Sequence, residues 1–154
     1  LKKIKPFIGV IGSGEEDPET NRLAEEVGSL IASEGHPLVN GGLAGVMAAS
    51  ARGCAAAGGL TVGILPGLDP AEANPHIEVP IPTGLGEMRN LLIIRTAPVF
   101  IAVGGGYGTL SEIALALKLK KTVVGLNTWE VSKDVIKAAG PADAVKKAIS
   151  ALVR

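Results

Sequence analysis

The sequence predicts an α/β protein: a Rossmann-like, doubly wound and mainly parallel sheet with helices on both faces. Three observations predict it. Hydrophobic residues make up 47% of the chain while aromatics make up 3%, so the core has to be assembled from Val, Ile, Leu and Ala, as in parallel strands buried beneath helices. Short β-branched apolar runs alternate with segments of helical period, which calls for parallel strands joined by right-handed crossovers. Three glycine-rich turns stand where strands give way to helices, and sheets of this kind bind ligands outside the carboxyl ends of their strands. At 154 residues the chain has the size of one domain, and residues 1–154 are read as a single unit.

Taken in order, residues 6–11 are apolar, β-branched and followed by Gly12 and Gly14, which reads as a strand and a turn. A helix is expected from Pro18 to about Glu34: Leu23, Val27, Leu30 and Ile31 share one face, the polar residues Glu25, Glu26, Ser29 and Ser33 lie elsewhere, and Gly35 ends it. The second unit is a strand over residues 37–39, the turn Asn40-Gly41-Gly42, and a small-residue helix from about Leu43 to Ala57 closed by Gly58 and Gly59. Residues 60–65 form the third strand, halted by Pro66 and Gly67. Residues 67–83 are rich in breakers and are expected to be a surface loop beside a site, with a short extended piece at 77–79. A helix over 86–96, a strand over 99–103, a glycine turn over 104–108, a helix over 109–119 and a strand over 122–126 follow. The last helix starts near Pro141 with Val145, Ile149 and Leu152 inward; residues 129–139 carry no assignable pattern, and the chain has no internal repeat.

Charge and composition exclude several classes. Lys plus Arg and Asp plus Glu number 15 each, and no basic tract exceeds Lys2, Lys3, Lys5 near the start and Lys118, Lys120, Lys121 later, which argues against nucleic acid as the main partner. The lone Cys54 rules out an intramolecular disulfide and reads as a small buried side chain in an Ala-rich segment. No apolar run reaches about 18 residues and no secretory cleavage pattern follows the basic start, so a cytoplasmic protein with no membrane partner is expected. His36 and His76 have no partner at metal-ligand spacing, and no metal site is expected.

The densest chemical signal is Gly104-Gly105-Gly106-Tyr107-Gly108-Thr109, between an apolar strand and a helix. Glycines let backbone N–H groups approach a ligand, and the helix start that follows favours an anion, so a phosphate fits here. The alternative is a turn needed only for close strand–helix packing; four glycines in five positions favour the anion site. Thr109 either adds a hydroxyl donor or caps the helix. Gly12-Ser13-Gly14 and Gly41-Gly42 would wall the same crevice. Glu112, one turn into the helix, either binds ribose hydroxyls, acts as a base, or is simply an acid placed well near a helix start. Arg89, before an otherwise apolar run, pairs with a carboxylate or phosphate or lies on the surface at a helix start. Two common nucleotide sites are absent. Asp17 stands where a dinucleotide fingerprint needs its third glycine, and no acid for a ribose follows Val39. The glycine loop also lacks the Lys of a P-loop.

Met88-Arg89-Asn90, then Ala97 through Val103, then Gly104 through Glu112 resemble the paired motifs of the LONELY GUY phosphoribohydrolases, the lysine-decarboxylase-like superfamily, whose pattern is Arg-Lys followed by Pro-Gly-Gly-x-Gly-Thr-x-x-Glu. Gly12-Ser13-Gly14 and Val39 to Met47 match in order too, so the resemblance covers nearly the whole chain. It implies that Arg89 and Glu112 occupy the two catalytic positions and that the glycine loop, with Asn90 beside Arg89, holds the phosphate. Gly104 replaces the family's Pro and Asn90 its Lys; both, with Leu110-Ser111-Glu112-Ile113, are more similar to the molybdenum-cofactor carrier proteins of the same superfamily. No residue suggests the pyridoxal-binding Lys of a true decarboxylase.

Three functions are compatible with these residues. The first is a carrier or binding protein for a phosphorylated nucleotide-like ligand, a nucleoside monophosphate or a molybdopterin cofactor, that requires no other cofactor. The second is a phosphoribohydrolase cleaving the N-glycosidic bond of a nucleoside 5'-monophosphate, with Glu112 acting on water or the ribosyl cation and Arg89 fixing the substrate. The third is a nucleotide sensor signalling through an oligomer interface. The resemblance implies a homodimer or larger assembly.

Overall fold

The computed structural model describes residues 3–153. Seven strands, all paired in parallel, form one sheet in the order β4-β3-β2-β1-β5-β6-β7. In chain order they are β1 (Ile8–Gly12), β2 (Leu38–Asn40), β3 (Thr61–Leu65), β4 (Val79–Pro82), β5 (Val99–Val103), β6 (Thr122–Leu126) and β7 (Val135–Lys137). The helices are α1 (Pro18–Ser33), α2 (Val46–Ala56), α3 (Asn90–Thr96), α4 (Tyr107–Lys118) and α5 (Pro141–Leu152). No helix of the described residues is long and apolar enough to cross a membrane.

Side chains alternate across each strand, so a strand covered on both faces must be apolar throughout. β5 meets this condition and all five of its residues are buried. Val99, Ile101 and Val103 join Leu23, Val27 and Ile31 of α1, Val46 and Cys54 of α2 and Val145 of α5 on one face. Phe100 and Ala102 join Ile93 and Ile94 of α3 and Ile113 and Ala116 of α4 on the other. The sheet is therefore doubly wound, as its composition predicts. α1 and α2 cross with their backbones in contact: a Cβ on Gly28 would overlap the Ser50 carbonyl, and one on Gly53 the Glu25 carbonyl.

Three expectations need correction and one unassigned segment gains a structure. The segment 67–83 is more than a loop, because Val79–Pro82 pairs with β3 as the sheet edge. Pro80 and Pro82 lack a ladder donor, which hides the strand from a propensity reading and is tolerated only at an edge. The unassigned segment 129–139 contains β7, which closes the opposite edge against β6. The helix expected from Leu43 begins at Val46, since Gly42 and Gly45 adopt φ of 76° and 64° and the chain turns twice before it can coil. The helix expected over 86–96 divides into a 3-10 turn, Gly86–Arg89, and α3.

The connections run leftward from β1 through β2 and β3 to β4, then return to β5 on the other side of β1 and continue rightward. The order thus reverses between β1 and β5, where Gly12 is the register partner of Val103. A parallel sheet opens a crevice at such a point, beyond the carboxyl ends of its strands.

Candidate functional site

A crevice of about 1250 Å³ lies at that reversal point. Its walls are the turn after β1, the turn after β2, the 87–91 segment and the start of α4.

Behind the turn after β1, packing dictates the residues. A Cβ on Gly12 would lie 2.6 Å from Val46 Cγ1, and the Ser13 carbonyl accepts the Val46 N–H at 3.0 Å, so this turn supports the start of α2. Gly14 borders the crevice beside Met47. Asp17 caps α1 by accepting the Thr20 N–H at 3.0 Å. Glu16 accepts the Gly45 N–H at 3.0 Å and the Asn21 amide at 2.6 Å, tying the β1 turn to the β2 turn. The β2 turn is organised by Asn40, a buried residue that sequence reasoning counted only as part of a turn. Its amide donates to the Met47 carbonyl at 2.8 Å and the Ser50 hydroxyl at 3.1 Å, and its oxygen accepts the Gly42 N–H at 2.8 Å. A buried polar group this fully paired is what fixes a turn in an apolar sheet.

Arg89 is 8% exposed. Its Nε donates to the Ile64 carbonyl at 2.7 Å, its Nη2 to the Gly41 carbonyl at 3.4 Å, and its Nη1 to the Asn90 side-chain oxygen. A guanidinium has five N–H donors, so three are committed to holding it still and two are left over in a residue that lines the crevice. Gly41 is required here, since a Cβ on it would come 2.7 Å from Arg89 Nη2 and from Met47 Sδ. Burial pulls the Arg89 pKa below the usual arginine value, and the charges of Glu112 and Glu87 oppose that shift.

The glycine loop follows β5. The first amide of α4 to find a backbone carbonyl is that of Leu110, bonded to Gly106 at 3.0 Å, so the amides before it are the unpaired donors of a helix start. The Thr109 side chain is 2% exposed and its hydroxyl has no hydrogen-bond partner. A buried hydroxyl without a partner costs about 1–3 kcal/mol; Thr109 is a residue of the crevice wall, with its hydroxyl lying against Gly105. Gly106 and Gly108 stand differently from the glycines described so far: a Cβ on either would meet nothing within 4 Å. Gly104 and Gly105, at φ of 56° and 109°, are glycine for conformational reasons.

Glu112 is half-buried on the crevice side of α4. Desolvation pushes its carboxyl from 4.5 up to about 7, with the Arg89 charge acting in the opposite direction. Arg89 is the only Lys or Arg among the described residues that line the crevice, whereas Glu15, Glu16, Asp17, Glu87 and Glu112 all line it. The donors that line the crevice without a carboxylate partner are thus the amides at the start of α4 and the Arg89 guanidinium.

The crevice thus brings together Gly12, Ser13, Gly14, Gly41, Arg89, Asn90, Gly105, Gly106, Tyr107, Gly108, Thr109 and Glu112. Gly42 and Gly104 do not line it. Gly42 gives its carbonyl to Asn74, and the Gly104 N–H is taken by the Leu126 carbonyl at 3.0 Å. Two residues absent from the sequence reading support the loop from behind: the Thr128 hydroxyl donates to the Gly104 carbonyl at 2.6 Å and the Trp129 indole to the Gly106 carbonyl at 3.0 Å. They follow β6, Trp129 as the first residue of the segment that carried no pattern.

The family model described as the SLOG cluster4 family matches residues 5–151. An uncharacterized protein of Archaeoglobus fulgidus is 48% identical over 147 residues, covering 96% of this chain and 97% of its own. Among solved structures, the molybdenum cofactor binding protein of Rippkaea orientalis superposes with a TM-score of 0.91 at 37% identity, covering 97% of this chain and 98% of that one. The molybdenum cofactor carrier protein of Chlamydomonas reinhardtii does so with a TM-score of 0.88 at 37% identity, covering 97% and 99%. The resemblance read from the glycine loop and from Asn90 therefore holds, including its lean toward the carrier branch.

Proposed function

The chain belongs to the SLOG cluster4 family, and on that footing we propose that it is a carrier or binding protein that holds a phosphorylated, nucleotide-like ligand of the molybdopterin type. One observation carries the reading: the buried Thr109 hydroxyl has no partner and sits at a helix start whose amides are free, across from a pinned guanidinium. A phosphate supplies the missing acceptors. The residues fit the rest of such a ligand as well, because a carboxyl near its titration point, as Glu112 is at neutral pH, can donate to or accept from the amide edge of a pterin. Any metal chemistry belongs to the cargo; the chain's part is to bind, orient and shelter it.

The alternative, hydrolysis of a nucleoside 5'-monophosphate, is favoured by one observation. A carboxyl raised to about 7 in a crevice is poised for general acid–base work at neutral pH. Under this reading Glu112 takes a proton from the attacking water or offsets the ribosyl cation, and Arg89 fixes the phosphorylated substrate. The assay that separates the two is release of free base from common nucleoside monophosphates, alongside calorimetry of their binding. Binding without release supports the carrier, and turnover supports the hydrolase.

The reading includes a homo-oligomer, for which the exposed Leu85, Met88 and Leu92 beside the crevice offer an apolar contact. A monomer mass by light scattering at micromolar protein would contradict it.

A further inference from the structure

The chain has one Tyr and one Trp. In a protein this poor in aromatics the core would be the ordinary place for both rings. Instead Tyr107 and Trp129 stack on each other, centroids 5.9 Å apart and planes 24° apart, while remaining 83% and 37% exposed. Tyr107 lines the crevice, and it is itself a residue of the glycine loop. One face of its ring is covered by the indole. On either side of it Gly106 and Gly108 leave open space, since a Cβ at either position would touch nothing.

The pair is also fixed to the loop. In a trans peptide the carbonyl and the following N–H point in opposite directions. Thr128 holds the Gly104 carbonyl and Trp129 the Gly106 carbonyl from behind, so the amides of Gly105 and Tyr107 are turned the other way, toward the crevice both residues line. The Gly106 carbonyl is shared by the Leu110 N–H and the Trp129 indole, so the ring against which Tyr107 stacks is tied to the peptide that carries the Tyr107 amide. An anion site and an aromatic face are built as one unit, within a single residue of each other.

We propose that the free face of Tyr107, backed by Trp129, is a stacking platform for the planar heterocycle of a ligand whose phosphate sits on the glycine loop. This rests on reading the crevice as a phosphorylated-ligand site. It narrows the ligand to a phosphate ester carrying a flat aromatic ring system, and it makes Tyr107 the residue that separates such ligands from plain sugar phosphates.

The test compares the parent with Tyr107→Ala and Tyr107→Phe, titrated with guanosine monophosphate, with 6-hydroxymethylpterin monophosphate and with ribose 5-phosphate, which lacks the ring. Calorimetry gives affinity, the emission of the single Trp129 reports on the platform, and light scattering gives the mass. Loss of a base-stacking aromatic corresponds to roughly tenfold or more in affinity. Tyr107→Ala should lose about tenfold for whichever ring-bearing ligand binds the parent more tightly and change ribose 5-phosphate less than about twofold. Tyr107→Phe should stay close to the parent, and the ring-bearing ligand should change Trp129 emission where ribose 5-phosphate does not. Unchanged ring-ligand affinity in Tyr107→Ala overturns the platform and leaves the crevice reading standing. Equal losses for all ligands overturn it in favour of a role in loop geometry. An altered mass with intact affinity overturns it in favour of a subunit contact. A parent that binds none of the three overturns the platform and the crevice reading together.

Discussion

Two glycine-rich regions face each other across the crevice, and the same residue type is present for different reasons in each. In the turns after β1 and β2, glycine is demanded by neighbours. A Cβ on Gly45 would overlap the Ser13 carbonyl, one on Gly41 would strike Arg89 and Met47, and one on Gly42 would come 2.5 Å from Leu65. In the loop after β5, Gly106 and Gly108 have no protein atom within reach of a Cβ. Gly106 has a φ of −100°, which other residues adopt, so its backbone does not require glycine. What glycine preserves at these two positions is empty space in front of amides. Packing explains the first region; in the second it explains Gly104 and Gly105 but leaves Gly106 and Gly108 without a neighbour that requires glycine.

The largest effect expected from this contrast is on folding, in the first region. Gly45→Ala combines a left-handed φ of 64° with a collision against backbone, which cannot rotate away as a side chain would. It should cost about 3 kcal/mol or more, read by denaturant unfolding, and a loss under about 1 kcal/mol would break the comparison. Gly106→Val is the opposite case. Its stability should stay within about 1 kcal/mol of the parent while, under the proposed phosphate site, affinity for phosphorylated ligands falls more than about tenfold, since the new side chain would fill the open space in front of the loop. A variant that unfolds, or binds as well as the parent, would erase the distinction.

Glu112 sharpens the comparison through pH. Its folded pKa is raised from 4.5 to about 7, so the folded state holds a proton that the unfolded chain releases. Its contribution favours folding below about pH 4.5 and is lost as pH rises through 7. Glu112→Gln should flatten that part of the stability profile and, above pH 7, stabilise the unliganded protein by on the order of 1 kcal/mol. Under the carrier reading the variant keeps much of its ligand binding; under the hydrolase reading it loses turnover. The smallest effect belongs to Thr109→Val, which removes the unpartnered hydroxyl with little change of shape. Stability should rise slightly, by up to about 1 kcal/mol, while phosphate-ligand affinity falls a few-fold. A loss of stability would mean that the hydroxyl already has a partner within the protein.

The sequence made the doubly wound sheet readable because β1, β5 and β6 are apolar on both faces and are punctuated by glycine. β4 was not readable, because Pro80 and Pro82 look like breakers until β3 is seen to leave an edge free. β7 has three residues, too few for a periodic signal. At the site, the glycine loop, Arg89 and Glu112 were legible from residue type and order. The orientation of the turns was not: Gly42 and Gly104 sit within the right motifs but turn their backbone groups to Asn74, Leu126 and Thr128. Asn40 organises its turn through contacts with residues seven and ten positions later, and Thr128 and Trp129 reach the loop from 24 and 23 residues away. The Thr128 and Trp129 pairings exist only once the sheet has brought β5 and β6 together.

The central claim, that the open glycines of the second region hold the phosphate of a bound small molecule, is tested most directly by native mass spectrometry of the freshly purified parent and Gly106→Val proteins. The account predicts a phosphorylated small molecule bound to the parent, with the mass of a molybdopterin species if the carrier reading holds, and its loss from a Gly106→Val protein that remains folded. The same ligand retained in equal amount by both proteins would contradict it.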